Sequence, residues 1–582
     1  MATTSTTTDR PTPAGHGTSN QVPPGQAARR LPPWLLPAGV VSLAMALPVW
    51  GMWIAPGPPM EEGFMLVFPE RILAGDVPNR DFLHLYGPGS LWMLAGVYNL
   101  LGVDLWVERL VGLLQLVALV AGVAFVGYRW GRWTAVAAGL TTTIVIMPPI
   151  GLTALAWVGG VALALWAVIV ALSALDWSHH GERVSTRRRR LLVGGVLGGL
   201  ALLFRPDLVL AVGLPFGVMW IWALDRSSRR HLLAGVLAGV SPYLLHLVLA
   251  GPANAFRGIV TEPIFDLRPG RRLPFPPPLD DYSSYLNRAF AFGDRSWSWP
   301  LPALSETRQI FVWVPLVFLA CAALLTVGVL ALRAGRRSQG WWLLTLGLLA
   351  VGTLPQVIQR PDTAHLAWVS AVPFGLLSAA LVEAARLWGR SRRTTTAAAV
   401  AALPALLALA MIPNFTWRWY GDYVAKTFGH GRDGHAIVHR GRTFYYGREE
   451  IAEAARSLLA DAEDVTRPGQ TLVVGPGDLR KTNYSEVYLY FLLPQLEPGT
   501  EYIEMDPGVA NAADSGLAGE IRQADVVILS TVYDGWDEPN ASREFGSNAP
   551  NQALAAEFCL HDEYGTNPAQ DDRGFYELYL RC

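Results

Sequence analysis

The chain has 582 residues, of which 51% are hydrophobic and only 16% are charged. Soluble proteins carry about 25% charged residues, and the apolar runs of this chain recur through residue 413. These features predict a multi-span membrane protein. The net charge of −1 gives no reason to expect nucleic acid as a partner. Three cysteines exclude a disulfide-rich scaffold and a multi-cysteine zinc site.

Residues 1–30 are rich in Thr, Pro, Gly and Ser and lack an apolar core, which predicts a disordered cytoplasmic tail. Residues 31–413 form the predicted transmembrane domain. Eleven spans are predicted within it, at 34–55, 109–128, 133–147, 152–175, 191–204, 208–224, 231–250, 309–332, 341–358, 364–386 and 395–413. The spans at 133–147 and 191–204 are short for a bilayer. Residues 91–101 are shorter still and are predicted to lie along the membrane surface.

Arginines cluster in every second connection between the predicted spans. These connections lie at 29–30, 129–132, 187–190, 226–230, 333–337 and 390–393. Positive charge marks the cytoplasmic side, so the N-terminus is predicted to be cytoplasmic and the C-terminal part extracytoplasmic. The outer face of this cell-membrane protein should then collect loop 56–108, the turn at 205–207, loop 251–308 and the turn at 360–365.

Acidic residues are concentrated in loop 56–108. Glu61 and Glu62 follow the first apolar segment directly, and Asp81 comes about twenty residues later. Beside Asp81 lie Arg80, His84 and Tyr86, which are predicted to bind the substrate. Carboxylates placed where a membrane helix ends cost free energy, and such residues often mark a functional site. This loop is therefore a candidate catalytic centre. The simpler alternative is a set of solvated loop acids.

The tripeptide Arg-Pro-Asp occurs twice on the predicted outer face, at 205–207 and at 360–362. Proline ends the preceding helix and fixes the turn. Arginine suits a phosphate because its planar guanidinium donates hydrogen bonds in pairs. The predicted substrate-binding residues of these turns are Arg205, Arg360, Asp362 and His365. The alternative is that each turn is held by its own Arg–Asp pair.

Residues 414–582 change in character, because charged residues become frequent and apolar runs shorten to strand length. They are predicted to form an extracytoplasmic α/β domain with strands at 470–475 and 524–530 and helices at 448–460 and 551–559. Cys559 and Cys582 should pair if this domain faces an oxidising compartment, and two free thiols are the alternative. Loop 251–308, rich in Pro and aromatic residues, is either a lid or a loop packed on this domain.

The arrangement resembles the type C (GT-C) membrane glycosyltransferases over roughly residues 34–390, mainly by topology. In that superfamily an acidic pair follows the first span, and a G-x-x-P-x-x-D-like stretch comes later in the same loop, as in protein O-mannosyltransferases and aminoarabinose transferases. Here Glu61-Glu62-Gly63 stands where the family tends to have Asp-Glu, and residues 75–82 and 86–89 match the later part. Glu61 in place of the usual Asp leaves open which carboxylate is catalytic.

The resemblance implies a polytopic helical enzyme that takes a sugar from a polyprenyl-phosphate carrier. The acceptor would be a cell-envelope glycan, lipid or protein. The residues fit this chemistry independently, because a carboxylate can take the proton of an acceptor hydroxyl and cations can hold the leaving phosphate. Glu61, Glu62 and Asp81 are the catalytic candidates, with Glu61 preferred for its place in the motif. No cofactor or metal is assigned, with a divalent cation as an alternative.

Two other functions compete with this interpretation. A transporter or flippase of envelope lipids would also explain charges near the membrane, but it predicts internal repeats and charges in mid-span. The sequence shows no such repeat, and its charges lie at helix mouths on one face. A non-catalytic scaffold whose exported domain binds envelope partners is the third hypothesis.

Overall fold

The computed structural model describes residue 2 and residues 32–175, 184–280, 304–389, 394–430, 434–482 and 484–582. The predicted disordered tail therefore lies, apart from residue 2, outside the described residues. What is described is a helical bundle followed by an α/β domain, as predicted.

The bundle is built from helices connected mainly by short turns. Its helices are α1 Leu35–Trp53, α2 Glu61–Ala74, α3 Gly89–Leu101, α4 Leu105–Gly127, α5 Arg132–Ile146, α6 Ala156–Ser173, α7 Val184–Phe204, α8 Val209–Trp222, α9 Arg226–Val240, α10 Pro242–Ala250, α11 Pro252–Phe256, α12 Leu267–Arg271, α13 Glu306–Arg333, α14 Arg337–Gln359, α15 Thr363–Leu387, α16 Thr394–Met411 and α17 Trp417–Thr427. A 3-10 turn, Pro206–Leu208, joins α7 to α8, and a π-helical segment, Arg257–Asp266, joins α11 to α12.

Seven helices in the described parts of the chain are long and apolar enough to cross a membrane. An eighth is added if Val400–Met411 and Pro413–Thr427, which bend by 98° at their junction, form one span. The predicted count of eleven is not confirmed. Helices α5 and α8 have only 15 and 14 residues, or about 21–23 Å of rise. The first part of α7 carries the arginine run 187–190, which lowers its hydropathy.

Two of the arginine-rich connections, those at 129–132 and 333–337, meet the end of α15 at one end of the bundle. The Nε1 of Trp130 donates to Glu383 over 2.9 Å, and Arg386 donates to the backbone carbonyl of Trp130 over 3.1 Å. Arg336 donates to the same Glu383 carboxylate over 3.1 Å. Arg336 lies at the start of α14, and Glu383 and Arg386 lie near the end of α15. The turn at 360–362, which joins the two helices, therefore lies at their other end. This placement fits the alternation of charged connections found in the sequence.

The C-terminal domain contains a hairpin and a five-stranded sheet. Its strands are β1 His435–His439, β2 Arg442–Tyr446, β3 Thr471–Pro476, β4 Glu497–Pro498, β5 Val526–Ser530, β6 Phe558–Tyr564 and β7 Tyr576–Arg581. The sheet order is β4-β3-β5-β7-β6, with β3 parallel to β4 and β5 and with β7 antiparallel to β5 and β6. Both predicted strands are confirmed as β3 and β5, which are buried at the centre of the sheet.

The helices of this domain are α18 Glu449–Val465, α19 Tyr488–Leu492, α20 Leu517–Gln523 and α21 Ala549–Glu557. The predicted helices at 448–460 and 551–559 correspond to α18 and α21. Cys559 lies just beyond α21, in strand β6, and forms a disulfide with Cys582 at the end of β7. The Cα atoms of the two cysteines are 5.1 Å apart. The predicted disulfide is therefore confirmed.

The C-terminal domain docks on α2, the helix that begins with the two glutamates. A Cβ atom at Gly63 would lie 2.6 Å from the backbone nitrogen of Tyr488, so only glycine allows this close approach of α2 to α19. Nearby, Arg442 of β2 forms a salt bridge to Glu70 of α2 at 2.6 Å. One hydrophobic core runs without interruption from the bundle into the domain. The first glutamates of α2 are thus fixed between the two parts of the protein.

Candidate active site

A cavity of about 420 Å³ lies where the predicted outer-face loops of the bundle meet the C-terminal domain. Its wall is made by the start of α2, the loop at 84–90, the two Arg-Pro-Asp turns, the segment at 259–271 and one turn of the C-terminal domain. The charged and imidazole side chains in the wall are Glu61, His84, Arg205, Asp207, Arg268, Arg271, Arg360, His365 and Glu504. Acids and arginines from distant parts of the sequence therefore face one space.

The structure brings together six of the ten predicted site residues at this cavity. They are Glu61, His84, Tyr86, Arg205, Arg360 and His365. Asp362 is fully buried behind the wall, where it accepts a hydrogen bond from the backbone of His365. The remaining three, Arg80, Asp81 and Glu62, do not line the cavity.

Glu61 is the first residue of α2 and places its carboxyl at the cavity wall. The preceding backbone amide, that of Met60, donates to the Tyr484 hydroxyl over 2.7 Å, which holds the start of the helix. Burial raises the pKa of the Glu61 carboxyl to about 7, although the positive charges of Arg271 and Arg360 act in the opposite direction. A carboxyl with this pKa can accept a proton near neutral pH.

Glu62 points away from the cavity and is buried. Its two oxygens accept from Nε and Nη2 of Arg109, at 2.7 Å each. Arg109 is itself buried and also donates to the backbone carbonyl of Trp53. Adjacent residues on a helix diverge by about 100°, so only one of the two glutamates faces the cavity. This geometry gives Glu62 a structural ion pair, and we retain Glu61 alone as the catalytic candidate.

Arg80 and Asp81 pair with each other near the protein surface. The Nη2 of Arg80 lies 2.7 Å from Asp81 Oδ2, and nearly half of the Arg80 side chain is exposed. Asp81 Oδ2 also accepts from the backbone amide of Val77, so it closes the loop that follows α2. These contacts support a role for the pair in shaping the loop and give no support for the predicted catalytic and binding roles.

Arg205 is held in the wall by a carboxylate and two aromatic rings. Its Nε and Nη2 donate to Asp207 at 2.9 and 2.7 Å. Its guanidinium carbon lies 4.0 Å from the ring centre of Tyr86 and 5.1 Å from that of Trp157. The Arg–Asp pair proposed as the structural alternative is present, and the same arginine also faces the cavity.

Arg360 is surrounded by oxygen acceptors from three segments. Its Nη2 donates to both carboxylate oxygens of Glu538 in the C-terminal domain, at 2.7 and 3.0 Å. Its Nη1 donates to the backbone carbonyl of Arg271 over 2.8 Å, and its Nε lies 3.3 Å from Asp362. The turn at 360–362 is therefore held both by its own Arg–Asp contact and by the C-terminal domain.

Arg268, Arg271 and Glu504 are cavity residues that sequence reasoning missed. Arg271 lies 3.0 Å from Asp506, and Arg268 donates to Gln359 over 3.0 Å. The run Arg268-Pro-Gly-Arg271-Arg272 in a loop otherwise rich in Pro and aromatics was the available signal for the arginines. No local feature of the sequence distinguishes Glu504 from the other acids of the tail.

The two histidines of the wall differ in their surroundings. Burial lowers the pKa of His84 to about 3, so its imidazole is neutral. His365 Nδ1 lies 2.8 Å from Asp362, which orients its ring. In the parts of the chain that the structure describes, no three His, Cys, Asp or Glu side chains are grouped as the ligands of a metal ion.

The comparisons with known proteins rest on structure, since no protein-family model matches the chain and no curated protein matches it in sequence. The chain is similar to ArnT from Cupriavidus metallidurans bound to undecaprenyl phosphate, with a TM-score of 0.52 and 14% identity over 93% of this chain and 97% of that one. The Archaeoglobus fulgidus oligosaccharyltransferase in its apo form gives a TM-score of 0.49 and 12% identity, over 94% of this chain and 76% of that one. Arabinofuranosyltransferase AftD from Mycobacteria gives a TM-score of 0.47 and 16% identity, over 94% of this chain and 40% of that one.

The similarity to ArnT extends over nearly the whole of both chains, so it includes the helical bundle and the C-terminal domain. It agrees with the resemblance noted from the acidic pair and the later motif of loop 56–108. The chain has the fold of the GT-C membrane glycosyltransferases.

Proposed function

We propose that this protein is an integral membrane glycosyltransferase that moves a sugar from a polyprenyl-phosphate carrier to a cell-envelope acceptor on the extracytoplasmic face. One observation carries the proposal: Glu61 faces a cavity whose wall also holds Arg205, Arg268, Arg271 and Arg360. A proton acceptor and a group of cations are what glycosyl transfer from a phosphate leaving group requires. ArnT, which has a similar fold, was solved with undecaprenyl phosphate bound.

In the proposed reaction the carboxylate of Glu61 and the arginines of the wall have different roles. The acceptor hydroxyl oxygen forms a bond to the anomeric carbon as the bond from that carbon to the carrier phosphate breaks. The hydroxyl proton passes to the Glu61 carboxylate, and the bonding electrons leave with the phosphate oxygen. The developing phosphate charge is stabilised by arginines of the wall. We assign the phosphate to Arg271, because its charge and that of Arg360 act on Glu61, and Arg360 is already paired with Asp362 and Glu538.

The carrier's hydrocarbon chain has an apolar path to the cavity. Val209 and Leu210 at the start of α8 and Ile264 in the π-helical segment line the cavity and are 55%, 47% and 42% exposed. Apolar side chains that face both a cavity and the outer surface of a membrane helix bundle suit an isoprenoid better than water. We propose this side as the place where the lipid chain leaves the cavity.

We extend the proposal to the sugar, the acceptor and the orientation in the membrane. The transferred sugar is a hexose or a pentose, and the acceptor is an envelope glycan, lipid or protein. The N-terminus is cytoplasmic and the domain at 414–582 is extracytoplasmic, as the alternating arginine-rich connections indicate. A divalent cation remains an alternative cofactor.

A transfer assay tests the proposal against a transporter and a scaffold. The purified protein is reconstituted in liposomes containing a radiolabelled polyprenyl-phosphoryl sugar and an envelope lipid or glycan extract. We expect label to appear in the extract and unlabelled polyprenyl phosphate to be released, with Glu61→Gln as the inactive control. A transporter would move the labelled lipid between leaflets without releasing polyprenyl phosphate. A scaffold would do neither, and either result would contradict the proposal.

A further inference from the structure

Glu504 belongs to the C-terminal domain but lines the cavity of the membrane domain. It lies in the turn at 502–506, where the amide of Met505 donates to the carbonyl of Tyr502 over 3.1 Å. Met505 has a φ of 52°, in the left-handed region that side chains other than glycine rarely adopt. Such conformations persist where the surroundings hold them, and they cluster at functional sites. The turn is anchored to the wall by the Asp506–Arg271 salt bridge at 3.0 Å.

The side chain of Glu504 is buried, but its carboxyl group does not make all the hydrogen bonds that it could. It is 6% exposed, and among the described residues its Oε1 has no hydrogen-bonding partner. A buried carboxyl oxygen without a partner costs free energy, and native proteins hold few of them. The neighbouring acid of the same turn, Asp506, has Arg271 as its partner, whereas Glu504 faces the cavity. A ligand hydroxyl is the natural missing partner.

The surroundings favour the neutral form of this carboxyl. Burial and the nearby charges of Asp506 and Glu61 raise the pKa of Glu504, and Arg271 only partly opposes them. A neutral carboxyl donates one hydrogen bond and accepts others, so it can pair with a hydroxyl in either direction. Two acids in one cavity can then take different parts, with Glu61 as the base and Glu504 as a hydrogen-bonding group.

We propose that Glu504 binds a hydroxyl group of the sugar on the lipid carrier, so that the exported domain takes part in donor recognition. The inference rests on the proposed function. The sugar is favoured over the acceptor because Arg271, which we assign to the phosphate, lies beside Glu504, and the sugar is bonded directly to that phosphate. Glu504 is in this proposal a substrate-binding residue that sets the affinity for the glycosyl group.

Binding measurements separate this role from a structural one. Native mass spectrometry gives the Kd of two probes, polyprenyl phosphate and a polyprenyl-phosphoryl pentose, for the full chain in detergent. Glu504→Ala should weaken binding of the sugar-bearing lipid about three- to tenfold, as expected for one lost hydrogen bond. It should leave the Kd of polyprenyl phosphate unchanged. Glu504→Gln, which keeps a donor and an acceptor, should retain most of the affinity.

Glu501→Ala is the matched control, since Glu501 lies in the same segment, is partly exposed and does not line the cavity. It should bind both lipids as the wild type does. An unchanged Kd of the sugar-bearing lipid in Glu504→Ala would overturn the inference, even if transfer were lost. An equal loss for both probes would also overturn it, because it would indicate a structural effect. If the wild type binds neither probe, it is the proposed function that fails.

Discussion

Arg360 and Glu538 join the helical bundle to the C-terminal domain, because one guanidinium nitrogen of Arg360 donates to both carboxylate oxygens of Glu538, at 2.7 and 3.0 Å. Both side chains are about nine-tenths buried. Breaking a buried pair by removing one partner leaves a buried charge and costs about 3–5 kcal/mol. We therefore expect Arg360→Ala and Glu538→Ala each to lower the thermal midpoint clearly, and the double variant to lower it by less than the two single effects together.

Arg448→Ala provides the matched control for this cycle. Arg448 pairs with Glu450 at 2.6 Å, but both side chains are about half exposed. Removing this pair should therefore lower the thermal midpoint only slightly. Unfolding followed by tryptophan fluorescence in detergent gives the four midpoints of the cycle and the midpoint of Arg448→Ala. Strictly additive effects of Arg360→Ala and Glu538→Ala would show that the two residues are not coupled.

Glu61→Gln and Glu62→Gln should fail in different ways. Glu61→Gln keeps the shape of the side chain and removes the base, so transfer should fall by a factor of about 10² to 10⁴ with normal folding. Glu62→Gln leaves Arg109 buried without its carboxylate, so we expect a lower thermal midpoint and a lower yield in the membrane. Initial rates per folded molecule, with folding checked by gel filtration, separate the two effects. A folded Glu61→Gln with full activity would rule out Glu61 as the base.

The rate of transfer should depend on the ionisation of Glu61. The base works only when ionised, and burial raises the pKa of its carboxyl to about 7. The rate should therefore increase about tenfold per pH unit well below pH 7 and level off above it. Single-turnover rates from pH 5 to 9 measure this profile. The residual activity of Glu61→Gln should not increase in this way between pH 5 and 7. A rate that falls as pH rises through 7 would contradict the assignment.

The same carboxyl should reduce stability at neutral pH. Its pKa is higher in the folded than in the unfolded protein, so the unfolded state loses its proton first as pH rises. The free energy of unfolding should therefore decrease between about pH 4.5 and 7 because of this group. Glu61→Gln removes the effect and should make the protein more stable than the wild type at pH 7.5. Thermal unfolding of both at pH 5 and 7.5 tests this, and equal midpoints at pH 7.5 would count against the burial of Glu61.

The Cys559–Cys582 disulfide closes a segment of 23 residues at the edge of the sheet. In the chain-entropy view such a crosslink stabilises a domain by about 3 kcal/mol. In the double variant Cys559→Ser/Cys582→Ser, the free energy of unfolding of the C-terminal domain should be lower by about this amount. Cys321→Ala should keep the wild-type midpoint and the crosslinked peptide, because Cys321 is a separate buried thiol. Alkylation of both Cys559 and Cys582 without a reductant would refute the pairing.

Reporter fusions test the proposed topology. A phosphatase joined after residue 430 should be active, and a fluorescent protein at the same point should stay dark if it is exported. A fusion in the connection at 334–336 should show the opposite, because Arg336 lies at the predicted cytoplasmic end. Fluorescence after residue 430 would reverse the orientation and with it the outward-facing site.

Much of the site was predictable because membrane topology alone places loops on one face. Positive charge on alternate connections put the loop after α1 and both Arg-Pro-Asp turns together, and Glu61, Arg205 and Arg360 do line one cavity. The number of spans was less predictable. Hydropathy identifies apolar segments, but helix α5 is held among other helices and does not have to match the bilayer thickness by itself.

The remaining site residues depend on contacts that a linear sequence does not reveal. Glu62 is distinguished from Glu61 only by Arg109, 47 residues further along, which takes both of its oxygens. Arg271 follows a π-helical segment that has no clear periodicity. Glu504 reaches the cavity because a whole domain folds back on the bundle. Local pattern cannot predict such long-range packing.

The division of the cavity wall between the two parts of the chain has a consequence for biosynthesis. Glu538 is made 178 residues after its partner Arg360, and Asp506 is made 235 residues after its partner Arg271. At about 5–20 residues per second, these intervals last roughly 10 to 50 seconds. Throughout that time the inserted helices hold Arg360 without Glu538, and Arg271 without Asp506. A ribosome that stalls before codon 506 would thus leave an integrated bundle whose cavity wall lacks the residues of the C-terminal domain, a target for membrane quality control.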